Sequence, residues 1–130
     1  MKYLLDTDTL IDILEDRDNV RQQVLVLIEN DEVALSAITV VELYSGLSEK
    51  KRAEWESWLL TLPYWQISIL AAMRAGRYRR DARGRGQTLS VSDSLLAALA
   101  KESDATLLTS NIKDYPMEDV RVLSLRKEAA

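Results

Sequence analysis

The chain has 130 residues, 47% of them hydrophobic and 29% charged, the composition and size of one ordinary soluble globular domain. It contains no cysteine and no histidine, which excludes disulfides, thiolate nucleophiles, sulfur-ligated zinc, imidazole bases and the Ser-His-Asp triad. The net charge of −4 argues against a general nucleic-acid binder, yet Arg74 to Arg85 carries six arginines against one acid, Asp81. Any hydrolytic chemistry must therefore come from carboxylates and a hard cation, for which oxygen-only sites suit magnesium, manganese or calcium.

Lys2 to Asp6 reads as a short buried strand ending in an acid. Asp6 interrupts the apolar run too early for a signal-peptide core or a bilayer span, so the expectation is a cytoplasmic protein without a membrane segment. Thr9 to Leu14 predicts a short helix capped by Asp8, and Val20 to Asn30 a second helix. Glu32 to Ser36 predicts a strand, followed by a helix entered near Thr39. The polar stretch Ser48 to Arg52 leads into a helix carrying Trp55 and Trp58 and terminated by Pro63. Trp65 to Ser68 predicts a third strand, and Ile69 to Arg83 a helix closed by the loop glycines Gly84 and Gly86. Ser90 opens a helix through Lys101; Thr106 to Thr109 and Val120 to Leu123 are the last strands.

Strands alternating with helices imply an α/β fold, residues 1–130 forming one domain with a mostly parallel central sheet flanked by helices. In such a sheet ligands bind at the carboxyl ends of the strands. The acids fall there: Asp6 ends the first strand, Glu42 follows the second, Asn111 and Asp114 follow the Thr106 strand, and Asp93 lies in the first turn of the helix feeding back to that edge.

Each acid also has an ordinary explanation. Asp6 could cap a helix, and Thr39 with Glu42, or Ser90 with Asp93, has capping-box spacing. Gathering them is costly: two carboxylates ~5 Å apart repel by ~3 kcal/mol at an effective dielectric of ~20, and three such pairs approach the whole stability of a domain. A bound divalent cation relieves that repulsion and supplies hydrolytic chemistry.

The segments LLDTDTLID, SAITVVELYSG, VSDSLLAALA and LLTSNIKDYP, in that order and spacing, resemble the PIN domain, and within it the VapC toxins of toxin–antitoxin pairs. The resemblance covers nearly the whole chain and implies a three-layer fold, magnesium- or manganese-dependent cleavage of RNA, an antitoxin partner and a homodimer. It makes Asp6, Glu42 and Asp93 the metal-binding acids. The family commonly has asparagine where this chain has Asp8, and often aspartate where it has Asn111. The fourth position is thus shared between Asn111 and Asp114, which a helical turn over Ser110 to Asp114 would place on one face. Asp114 is expected to supply the missing charge.

Arg74, Arg77, Arg80 and Arg83 are candidate RNA-phosphate contacts, with Tyr78 available to stack on a base; the alternatives are a solvated helix face or a dock for an acidic antitoxin segment. Trp55 and Trp58 share a helix face, either core or dimer surface. Two rival functions compete. LLDTDTL also fits a haloacid-dehalogenase-type phosphatase, with Asp6 as nucleophile and Asp8 as acid, although too little chain follows LLTSN for that fold. A non-catalytic PIN-like binding module is the second rival.

Overall fold

A computed structural model describes residues 1–127. The order of elements is β1 (Lys2–Leu5), α1 (Thr7–Glu15), α2 (Val20–Asn30), β2 (Glu32–Ser36), α3 (Ala37–Gly46), α4 (Glu49–Leu59), β3 (Tyr64–Trp65), α5 (Ile69–Gly84), α6 (Val91–Glu102), β4 (Thr106–Leu108) and β5 (Val122–Leu123), with short 3-10 turns at Arg17–Asn19 and Ile112–Asp114. The strands form one sheet in the order β3-β2-β1-β4-β5, and every pairing is parallel. The expected α/β architecture is therefore present, with β1 at its centre.

Alternation along β1 explains the layers. Tyr3 and Leu5 point into a core with Leu10, Ile13, Val24, Val33 and Leu35, while Leu4 points into a second with Ala34, Leu96, Leu99 and Leu107. Helices α1 to α4 cover the first face; α5 and α6 cover the second. No helix among the described residues is long and apolar enough to cross a membrane.

Several boundaries differ from the sequence reading. Helix α1 begins at Thr7 and its cap is Asp6, not Asp8: Asp6 is extended, and its carboxylate accepts from the Thr7 N–H at 2.7 Å. Helix α3 begins at Ala37 with Ser36 as cap, so Thr39 is no capping-box residue. Thr39 is buried instead and donates its hydroxyl to the Leu5 carbonyl at 2.8 Å, tying α3 to the end of β1. Helix α4 stops at Leu59, before Pro63, whose carbonyl accepts from Leu35 N–H and starts β3 two residues later than the helix turn. That register makes β3 Tyr64–Trp65 rather than Trp65 to Ser68, and frees Ser68 to cap α5 through Ala71 N–H. β5 is shorter than expected, Val122–Leu123.

Trp55 and Trp58 pack edge to face, with ring centroids 5.7 Å apart, against the first core, and the Arg21 guanidinium lies 4.9 Å from the Trp55 ring centre. Both rings are partly buried and pack against that core. Past β5 the chain returns across α1, where Arg126 grips Asp12 with two bonds of 2.7 and 2.9 Å. Asp12 is only 2% exposed, so its charge depends on that partner. Replacing Arg126 with alanine leaves a buried carboxylate unpaired and should cost about 3 kcal/mol in urea unfolding. An Asp12→Leu, Arg126→Met double variant should regain most of this; equal loss in both variants would show that the ion pair is not the cause.

Candidate active site

The carboxyl edge of the sheet is built around Asp6. As the residue after the central strand it keeps a sheet bond, its N–H donating to the Leu108 carbonyl at 3.0 Å, while its side chain turns to cap α1. The same carbonyl accepts from Thr9 Oγ1 at 2.9 Å, so β1, β4 and α1 are locked at this point. Asp93 enters from the first turn of α6, whose cap is Ser90. Tyr115, just past the second 3-10 turn, places its hydroxyl between the two acids, 2.7 Å from Asp6 Oδ2 and 3.1 Å from Asp93 Oδ1. Glu42 sits on the second turn of α3, and its Oε1 accepts from Thr7 Oγ1 at 2.9 Å.

Asp8 and Asn111 belong together. Asp8 Oδ2 accepts from Ser110 N–H at 3.0 Å, from the Ser110 hydroxyl, and from Asn111 Nδ2 at 2.8 Å. Asp8 thus shapes the loop after β4, and the Asn111 amide is turned toward it. The helical turn anticipated over this segment is present, with Asp114 N–H donating to Asn111 C=O at 3.0 Å. Asp114 is exposed and close enough to Asp93 for its charge to act on it.

These groups shape one another's acidity. Burial pushes Asp6 up to about 6, assisted by the charge of Asp8 and opposed by the bonds from Tyr115 and Thr7. Asp93 is also raised, first by burial and then by the charges of Asp114 and Glu42, against hydrogen bonds from Ser90 and Tyr115. Burial and the two carboxylates raise the Tyr115 phenol, which stays protonated as a donor. Among the described residues, no lysine or arginine forms an ion pair with Asp6, Glu42, Asp93 or Asp114.

Uncompensated oxygen donors are the chemistry a hard divalent cation requires. The gathering is partial, however: among the described residues no three acids form a ready cage for an ion. Asp6 and Asp93 form a close pair through Tyr115, with Glu42 and Asp114 around it. Sequence reasoning missed Tyr115 and Thr7; a tyrosine in a loop before a proline carries no pattern that announces contact with residues about a hundred positions away.

The arginines divide. Bonding between Ser68 Oγ and Glu102 at 2.6 Å sets the start of α5 against the end of α6, so the later arginines of α5 lie toward Asp93. Arg80 and Arg85 line a cleft of 690 Å³ together with the acids Asp81, Glu118 and Asp119, its far wall being the segment Pro116–Asp119 directly after Tyr115. Arg83 and Arg79 face a smaller hollow beside Leu89. Arg77 lies near Glu102 at the opposite end of α6, and Arg74 is paired with Asp119 at 3.7 Å. The Tyr78 hydroxyl is held by Asp119 at 3.0 Å, so that ring is fastened to the fold rather than offered to a base.

The raised Asp6 gives a stability signature. A folded-state pKa near 6, above the ordinary 3.8, supplies stability that is complete below pH ~4 and lost as pH rises through ~6. At pH 7, without metal, the ionised Asp6 costs about 3 kcal/mol. In chelator Asp6→Asn should therefore be more stable than wild type at pH 7, with the difference vanishing toward pH 4, as read by urea unfolding. A variant weakened equally at both pH values would contradict the assignment.

A model of the PIN domain matches residues 3–121. Ribonuclease VapC19 of Mycobacterium tuberculosis is 30% identical over 115 residues, covering 88% of this chain and 92% of the relative. Ribonuclease VapC2 of Rickettsia felis is 28% identical over 121 residues, covering 88% and 90%. Among solved structures, FitAcB from Neisseria gonorrhoeae superposes with a TM-score of 0.79 at 28% identity, covering 93% of this chain and 96% of that one. VapBC2 from Rickettsia felis, bound to a DNA fragment from its promoter, superposes with a TM-score of 0.84 at 24% identity, covering 95% and 98%, a likeness of fold. With the parallel sheet and the acids at its carboxyl edge, these matches establish that the chain belongs to the PIN domain family, on its VapC branch.

Proposed function

We propose that the protein is a metal-dependent endoribonuclease, the toxin of a VapBC-type toxin–antitoxin pair, hydrolysing RNA phosphodiesters at the carboxylate centre of Asp6, Glu42, Asp93 and Asp114. One observation carries this reading: four acids stand around one end of the sheet and, among the described residues, none of them forms an ion pair with a cationic side chain, in a family whose named members are ribonucleases. Mg2+ or Mn2+ held by Asp6 and Asp93, with Glu42 and Asp114 at the rim, would polarise a phosphate oxygen and lower the pKa of the attacking water. The chain's own groups do the rest. Thr7 orients Glu42, Asp8 with Ser110 and Asn111 fixes the loop after β4, and Asp114, exposed beside Asp93, is placed to accept a proton. Asn111, a candidate ligand by sequence, serves here through Asp8.

The phosphatase alternative falls with the family assignment, and on geometry as well: Asp8, its required acid, is spent on the Ser110–Asn111 loop. A non-catalytic PIN module makes a different forecast, namely manganese binding without cleavage. Incubation of RNA with wild type and with Asp6→Asn, each in Mn2+ and in excess chelator, tests both. Cleavage should fall by at least about 100-fold in chelator and in the variant. Undiminished cutting in either would overturn the metal mechanism.

Arg80 and Arg85 are the phosphate contacts this reading favours over Arg74 and Arg77, because their cleft abuts Tyr115, which touches Asp6 and Asp93. Arg83 lies next to them. Replacing Arg80 and Arg85 with alanine should weaken RNA binding and reduce the salt dependence of log affinity by about 2, leaving the cut position unchanged. The same slope as wild type would remove these arginines from the RNA path.

For the antitoxin, apolar hollows on both sides of α3 suit a partner segment: one of 260 Å³ lined by Ile11, Leu14 and Leu47 and reaching Glu42, the other of 250 Å³ lined by Val40, Leu60 and Tyr64. A chain seated there would cover the site's rim as well as exposed Val41 and Tyr44. The homodimer surface, with the tryptophans packed against the first core, moves to Ile69, Leu70 and Met73, exposed together on one face of α5.

A further inference from the structure

We propose that Tyr115 is a positioning residue of the acid centre, its hydroxyl fixing the separation and orientation of the Asp6 and Asp93 carboxylates so that they are set for a divalent cation; this rests on the metal-dependent reading above. The two acids come from different elements, the end of β1 and the first turn of α6, and the Tyr115 hydroxyl lies between them, its single proton donated to the nearer Asp6 Oδ2 and shared with Asp93 Oδ1. Two oxygens hung from one hydroxyl at 2.7 and 3.1 Å stand under about 6 Å apart. Ligand oxygens around a magnesium-sized ion, each about 2.1 Å from it, lie roughly 3 to 4 Å apart, so the pair would draw together around an ion from a separation that the shared hydroxyl keeps below that bound.

The phenol is suited to this work in three respects. Tyr115 is 5% exposed, and its ring packs among Leu96, Leu107, Met117 and Val120, so the hydroxyl position is set by apolar contacts that do not depend on either acid. Its backbone N–H closes the 3-10 turn on the Ile112 carbonyl at 3.1 Å, which anchors it from the other side. Finally, the hydroxyl brings a proton without a charge. A lysine or arginine there would neutralise the acids and compete with a cation, whereas a neutral donor occupies one lone pair and leaves the others for ligation. Asp6 is held by two such donors, Thr7 N–H on Oδ1 and Tyr115 on Oδ2. Hydrogen bonds to ligating carboxylates are the kind of support whose loss costs about 10- to 100-fold in metal affinity.

The experiment titrates Mn2+ calorimetrically into the chelator-treated full chain, as wild type and as Tyr115→Phe, and follows RNA cleavage against Mn2+ concentration. Tyr115→Phe keeps the packed ring. Its dissociation constant for Mn2+ should rise about 10- to 100-fold, while cleavage at saturating Mn2+ returns to within a few fold of wild type. A merely structural role would lower the saturated rate without shifting the metal requirement. Unchanged or tighter Mn2+ binding by Tyr115→Phe overturns the proposal, the second result making Tyr115 a competitor of the ion. If wild type itself binds no Mn2+, the metal reading fails and the proposal falls with it. Should Tyr115→Phe fail to fold, selectively labelled tyrosine in wild type decides: the Tyr115 ring signals must move on saturation with Mg2+ while those of exposed Tyr64 do not, and an unmoved Tyr115 overturns the assignment.

Discussion

Holding like charges together at the end of a buried strand is the constraint on which the rest of this structure depends. Asp6 must remain on the central strand to be fixed, yet there it is largely withdrawn from water and faces Asp8, Asp93 and, further out, Glu42 and Asp114. Among the described residues no arginine or lysine forms an ion pair with Asp6, Glu42, Asp93 or Asp114, so the fold uses weaker and neutral means. Two helices begin at the site, α1 capped by Asp6 itself and α6 carrying Asp93 in its first turn, and a helix N-terminus favours negative charge by a few tenths to about 1 kcal/mol. Hydroxyls supply the remainder: Thr7 on Glu42, Thr109 and Ser110 on Asp8, Tyr115 on Asp6 and Asp93.

The same reasoning accounts for the buried threonines around the site. Thr39 bonds none of the acids, and Thr9 reaches only Asp8, at 3.5 Å. They bond the carbonyls of Leu108 and Leu5, the last strand residues before the loops that bear the active groups. Thr39 satisfies the buried Leu5 carbonyl at a strand end, and Thr9 adds a second bond to the Leu108 carbonyl, which already accepts from Asp6 N–H. Replacement of a hydrogen-bonded threonine by valine at either position would therefore loosen the seat of Asp6 without altering its charge.

What the sequence made legible follows from range. Strands and helices rest on local periodicity, and the acids on spacing relative to those elements, so the parallel sheet and the cluster at its edge could be read from LLDTDTLID and VSDSLLAALA before any coordinates. The sequence offers both Asp6 and Asp8 as caps of α1, and because β1 passes into α1 across a single residue, Asp6 takes the role while remaining at the site. Thr39 has the composition of a cap but sits in a helix already begun at Ala37, because Ser36, the last residue of the expected strand, fills that role. For the tryptophan pair core packing is the default reading of the sequence, and the rings pack against the first core with Arg21 laid over Trp55. Tyr115 was invisible because its partners are 109 and 22 positions away.

The segment after Tyr115 connects two regions that the sequence presents as separate, the acidic edge and the arginine-rich helix. Asp119 receives the Tyr78 hydroxyl and pairs with Arg74, so the loop Pro116–Asp119 is pinned to α5 at its far end, while Tyr115 pins it to Asp6 and Asp93 at the near end. Burial, followed by the Asp119 carboxylate, pushes the Tyr78 phenol up to about 12, keeping it a donor throughout the physiological range. A loop tethered at both ends cannot shift at one without strain at the other. The wall of the arginine-lined cleft and the spacing of the two central carboxylates are thus features of one rigid segment. A backbone strand lying along Arg80 and Arg85 would meet a surface already in register with the acids.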